Sequence, residues 1–229
     1  MRKFSALILL ILLAFSCERP EVVRFWDTHS IDYSDISAAE DQFADFAELA
    51  VASPEKDALK GIDVLYNHLK KDEVAYYIYS DWMESAFYNL LSPCHNPALF
   101  AKGVERIVKD GVIPAGTYDS FVKKREWSGY NLPGARAAVP GAVFNERALV
   151  LVIDRGCPSC REALTALLPA WPDVRRVAVC CGYGPDPSVE GWEYVAQDPA
   201  NPVFDPRMTP IYFVVAPDGT VEQGYTLAL

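Results

Sequence analysis

The residues best suited to chemistry in this chain are Cys157-Pro158-Ser159-Cys160. Two thiols separated by two residues can exchange with a disulfide, provided one of them is held as a thiolate. They follow an aliphatic run directly and open the segment after it, so the first sulfur falls at a predicted helix start. Unpaired backbone N–H groups and about half a positive charge collect there and stabilise an anion. Cys157, nearer the helix start, is the expected attacking sulfur, and Cys160, one turn on, the expected resolving thiol. The exchange needs no cofactor. Structural zinc is a competing reading of such a pair, but it needs two further ligands at matching spacing. The other paired cysteines, Cys180-Cys181, are adjacent and point to opposite faces of a strand. The histidines, His29, His68 and His95, all fall far upstream, so no metal is assigned. An inert structural disulfide is the remaining alternative.

The elements that must position this pair are legible from about residue 148 onward. Residues 148–153 read as a strand buried on both faces, and 176–181 read the same way. A third strand is predicted at 211–216, and Asp218-Gly219 turns it back into 221–227. Helices are predicted at 158–168 and around 188–197. The order β-α-β-α-β-β implies a small α/β layer. Met208-Thr209-Pro210-Ile211 places a proline immediately before the third strand, where an edge position or a cis bond is compatible.

Before residue 140 the pattern is helical. Phe43, Phe46, Leu49 and Ala50 share one face of a helix over 36–52. Ser53-Pro54-Glu55 reads as a cap and first turn, and Asn96-Pro97 repeats that signal before a helix that Gly111 closes. A last helix is expected at 117–127. The aromatic stretch Tyr76, Tyr77, Tyr79, Trp82, Phe87 and Tyr88 reads as packing between helices. Asn131-Leu132-Pro133-Gly134 and Val139-Pro140-Gly141 then punctuate the chain as a connector should.

The 229 residues are 51% hydrophobic and 23% charged, which is globular composition. The formal net charge of −10 argues against nucleic acid as a partner, because phosphate binding needs a clustered basic face. Arg2 and Lys3 precede an uncharged apolar run at 6–15, too short to span a bilayer and suited to a secretory signal. Leu13-Ala14-Phe15-Ser16-Cys17 ends it, and resembles the lipobox of bacterial lipoproteins, in which the cysteine is lipidated. That resemblance implies a signal peptide at 1–16, a lipid on Cys17, and a protein tethered to a membrane of the cell envelope, facing the periplasm or the outside.

Strand, cysteine pair at a helix start, Thr-Pro before a later strand and a hairpin turning on Asp-Gly together resemble the thioredoxin fold. They are most similar to the anchored extracytoplasmic thiol–disulfide oxidoreductases of the TlpA/ResA type. The resemblance covers about residues 140–229. It implies an α/β thioredoxin-like domain at 134–229 behind an all-α domain at 17–133. It also implies a cis Pro210 facing the cysteine pair and a Thr209 that bonds the substrate backbone, with Pro158 and Ser159 forming the active-site loop. Exported proteins bearing disulfides would be substrates, and a membrane or periplasmic thiol partner would supply electrons. The helical half, with Arg24-Phe25-Trp26-Asp27 and Ser92-Pro93-Cys94-His95-Asn96, is similar to an uncharacterised helical domain of bacterial lipoproteins.

The sequence departs from that family in places. Gly156 stands where the family has tryptophan, and Ala163 where it often has an acid, leaving Glu162 and Asp154 as candidate proton acceptors for Cys160. Residues 134–147 are short for the family's hairpin. The chain stops at Leu229, where a thioredoxin would add a closing helix, and the expectation is that the N-terminal helices cover the sheet face left bare. Cys180 and Cys181 read as small buried hydrophobes, one of which lies near the pair, and Cys94 as a leftover thiol. Two function classes follow: a disulfide reductase, or a non-catalytic lipoprotein whose helical domain binds or scaffolds.

Overall fold

The structure is a computed structural model, and it describes residues 19–182, 184, 187 and 189–228. The expected signal segment and Cys17 lie outside the described residues. No helix among the described residues is long and apolar enough to cross a membrane.

The first half is built from helices α1 (Glu21–Thr28), α2 (Ile36–Ala52), α3 (Glu55–Leu69), α4 (Glu73–Phe87), α5 (Pro97–Asp110) and α6 (Ala115–Gly129). Their starts follow local chemistry. Asp35, Asp72 and Asn96 each turn a side-chain oxygen back onto first-turn N–H groups, satisfying donors that the helix itself leaves unpaired. Gly111 ends α5 in the left-handed region, with φ 64°. Ser53 does not cap α3 as its sequence context suggests. It ends α2 instead, its hydroxyl donating to the Leu49 carbonyl at 2.7 Å, and α3 begins after Pro54. The last helix runs two residues further at each end than expected. The aromatic stretch does pack as a core: Trp26, Phe43, Phe46, Tyr66, Tyr76, Tyr79 and Phe87 are buried together, with Tyr77 and Trp82 at the rim.

The second half is a sheet in the order β3-β2-β1-β4-β5, formed by β1 (Ala148–Asp154), β2 (Arg175–Cys181), β3 (Glu193–Ala196), β4 (Ile211–Val215) and β5 (Val221–Leu227). β2 runs parallel to β1 and to β3, whereas β4 is antiparallel to β1 and to β5. Helix α7 (Pro158–Ala170) links β1 to β2 and packs on the face carrying Leu149, Leu151, Ile153, Ala178 and Cys180. The helix expected around 188–197 is absent, and β3 occupies part of that range. Tyr194 and Val195 are of types that strands favour, and the neighbouring β2 offers them a parallel edge at Val177–Cys180. A short 3-10 turn, Pro206–Met208, leads into β4.

The sheet face opposite α7 carries Val150, Val152, Val179, Phe213 and Tyr225, and the residues packed on it come from the connector (Ala137, Val139, Ala142, Phe144) and the loop before β4 (Val203, Phe204) rather than from the helices themselves. Met208 belongs to the apolar packing of both halves, and Leu90 reaches the sheet from the α4–α5 loop. Three hydrogen bonds lace the seam: Tyr88 Oη donates to Asp205 at 2.8 Å, Trp127 Nε1 to the Pro202 carbonyl at 3.0 Å, and Asn131 Nδ2 to Tyr225 Oη at 2.8 Å. The connector does not form a hairpin of its own. It runs beside the β4–β5 turn, with Gly134 N–H on the Val221 carbonyl and Ala137 N–H on that of Gly219, both at 2.9 Å.

Candidate functional site

β1 delivers the chain to the cysteine pair through a tight turn. Asp154, its last residue, accepts the Gly156 N–H on its carboxylate at 2.8 Å and the Cys157 N–H on its carbonyl at 3.1 Å. Cys157 is the cap of α7, with φ −93° and ψ 115°, and Pro158 takes the first helical position, where a missing N–H costs nothing. The next free donors therefore aim at sulfur. Cys160 N–H donates to Cys157 Sγ at 3.2 Å, and Ser159 Oγ lies 3.1 Å from the same atom.

This geometry separates the two thiols. Burial disfavours the Cys157 thiolate, but hydrogen bonds from the Cys160 thiol, the Ser159 hydroxyl and the Cys160 N–H outweigh it and hold the pKa below that of an ordinary thiol. Cys160 is buried against Leu164 and Ile153, and burial followed by its bond to Cys157 pushes its pKa well up. Cys157 remains partly open to solvent. A half-exposed, thiolate-prone sulfur beside a buried, protonated one is the arrangement stepwise disulfide exchange requires.

The Thr209–Pro210 peptide bond is cis. The Thr209 hydroxyl donates to the Pro206 carbonyl at 2.9 Å and also acts on the Cys160 thiol, lowering its pKa against the effect of burial. Thr209 is thereby brought to the cysteine pair, as are Pro158 and Ser159. Of the two proton-acceptor candidates, Asp154 stands at the pair, whereas Glu162 is exposed on α7 and acts on neither thiol.

Cys180 and Cys181 are both buried, on opposite faces of β2. Cys181 pairs with Asp154 across the ladder, and burial raises its pKa to about 12, so it is inert as a nucleophile. Its sulfur accepts a hydrogen bond from Gln197 Nε2 at 3.2 Å. Gln197 also accepts the Val203 and Phe204 N–H groups, at 2.9 and 2.8 Å, and so ties the loop leading to Thr209 onto the end of β2. Sequence reasoning passed over Gln197 and Asp205. Only burial marks them, and no local motif announces it. Among the described residues no group of three or more His, Cys, Asp or Glu side chains could hold a metal ion.

A cysteine pair at a helix start after a central strand, a cis proline opening the antiparallel strand, and a terminal hairpin define a thioredoxin-like fold behind a helical half. No family model matches the chain, and no curated protein does. Among solved structures, it is similar to a thioredoxin-like protein from Bacteroides caccae, with a TM-score of 0.69 and 16% identity. The likeness covers 93% of this chain and 91% of that one, so it takes in the helical half as well as the sheet.

Proposed function

We propose that the chain is a thiol–disulfide oxidoreductase that reduces disulfides of exported proteins while tethered by a lipid on Cys17. The observation that carries this reading is the Cys157 sulfur at the cap of α7, receiving the Cys160 N–H. In the forward step the Cys157 thiolate attacks one sulfur of a substrate disulfide. A mixed disulfide forms, and the other substrate sulfur leaves as a thiolate that takes a proton from solvent. Cys160 then loses its proton and attacks Cys157 Sγ. The Cys157–Cys160 disulfide forms and the second substrate sulfur is released, so the substrate gains two electrons and the pair loses them. An external dithiol must reduce the pair before the next cycle.

The coupling of the two thiols orders these steps. While Cys157 is a thiolate, its charge and its hydrogen bond help keep Cys160 protonated. Once Cys157 is locked in a mixed disulfide both effects vanish, and Cys160 becomes easier to ionise at the moment it must attack. Thr209 at the pair supports a role in holding the substrate backbone. Burial and the nearby Asp154 charge oppose the Cys157 thiolate. The reducing direction is supported by the resemblance to the TlpA/ResA-type oxidoreductases, and the reduction potential decides it.

The test is turnover of a disulfide-bonded protein with dithiothreitol as donor. The wild type accelerates reduction, and Cys157→Ser abolishes the acceleration. Equal rates for the two proteins would leave the chain as a binding or scaffolding lipoprotein.

A further inference from the structure

Between the helices and the sheet lies a cavity of 380 Å³, within the roughly 300–1,000 Å³ of small-molecule sites. It is on the sheet face opposite α7 and is separate from the cysteine pair. Tyr88, Trp127, Phe204 and Tyr225 supply flat apolar walls, and the exposed Leu132 and Gln223 stand at its rim.

We propose that this cavity is a binding site for a neutral, mostly apolar ring compound that bears a carbonyl oxygen. Neutrality follows from the lining. Asp205 is the carboxylate there, and its oxygens are already taken by Tyr88 Oη at 2.8 Å and by Arg207, through Nη2 at 2.7 Å and Nε at 3.0 Å. Burial lowers the pKa of the lining His95 and so disfavours its charged form. A charged ligand would therefore lose its hydration and meet no unpaired opposite charge. The carbonyl follows from Tyr225. Its oxygen accepts from Asn131 Nδ2, and its own proton has no acceptor among the described residues. Burial keeps that phenol protonated, so it has a hydrogen bond to give. The aromatic walls suit a planar ring by offset or edge-on packing. None of this depends on exchange at Cys157.

Prodan, a neutral naphthyl ketone whose emission shifts to the blue in apolar surroundings, is a direct probe. The wild-type chain is expected to bind it saturably with a blue shift. Leu90→Trp, a substitution at a half-buried lining position, fills the cavity and is expected to weaken binding at least ten-fold with the circular dichroism spectrum unchanged. Tyr225→Phe removes only the hydroxyl and is expected to weaken binding about five-fold, the effect of one neutral hydrogen bond. Absence of saturable binding, or equal binding by Leu90→Trp, overturns the site. Equal binding by Tyr225→Phe overturns the carbonyl assignment.

Discussion

At the residue scale, the proposed function rests on how differently two sulfurs three positions apart are treated. Cys157 is half open and receives hydrogen bonds; Cys160 is buried and gives one. A folded-state pKa below the ordinary thiol range means that Cys157 ionises at lower pH than a free cysteine. Its alkylation by iodoacetamide should therefore climb with pH and level off earlier than that of a model thiol. Ser159→Ala removes one stabilising hydrogen bond and should move that midpoint upward; an unmoved midpoint would dismiss the Ser159 contact. Cys160→Ser should accumulate a mixed disulfide on Cys157 that the wild type resolves, visible by mass spectrometry. The placement of the pair at a helix start was legible in the sequence because its signals are local: two sulfurs, a proline and a helix start sit within four residues. Gln197 and Asp205 were not legible, because what makes them matter is a partner distant in sequence, and a single chain of letters does not show burial.

At the scale of elements, packing between helices is set by a few close approaches. A Cβ at Gly61 would lie 2.9 Å from the Val22 carbonyl oxygen, so Gly61→Ala must push α1 away from α3. A Cβ at Gly103 would lie 2.7 Å from the Met83 sulfur, at the far end of a flexible side chain that can turn aside. Urea denaturation should show Gly61→Ala losing about 1–3 kcal/mol and Gly103→Ala less than that. Equal losses would contradict the distinction between backbone and side-chain neighbours. The same contrast explains which elements could be read in advance. Asn96-Pro97 and Gly111 bound α5 by chemistry contained in the segment. Ser53 could cap one helix or end another, and only the fold decides. The range around β3 reads as a helix in the sequence, because its strand character depends on the free edge of β2 and not on its own four residues.

At the scale of the molecule, Met208 packs against the cores of both halves and Asp205 is bonded from both sides, so we predict that the two halves behave as one packed unit. Tyr88→Phe removes one hydrogen bond to a buried carboxylate and should lower stability by about 1–2 kcal/mol in urea denaturation. Burial alone would raise the Asp205 pKa, but its bonds to Arg207 and Tyr88 prevail and hold it below the usual carboxylate value. A depressed folded-state pKa adds stability that is present above the unfolded value of about 3.9 and is lost as pH falls through the folded one. Acid should therefore loosen the seam, and Asp205→Asn should remove this part of the pH dependence. Limited proteolysis at the connector should release no soluble, folded fragment of residues 134–229, since the second half would lose the contacts made by Leu90, Trp127 and Asn131; recovery of such a fragment would contradict the single unit.

The central claim is that Cys157 and Cys160 form a working redox couple. It is tested most directly by titrating the protein in dithiothreitol and glutathione buffers and following the pair by alkylation. The account predicts a reversible two-electron couple at about −250 mV or below, the range of a reductant. A couple near about −120 to −180 mV would reverse the direction to oxidation or isomerisation, and the absence of any reversible couple would contradict the exchange chemistry altogether.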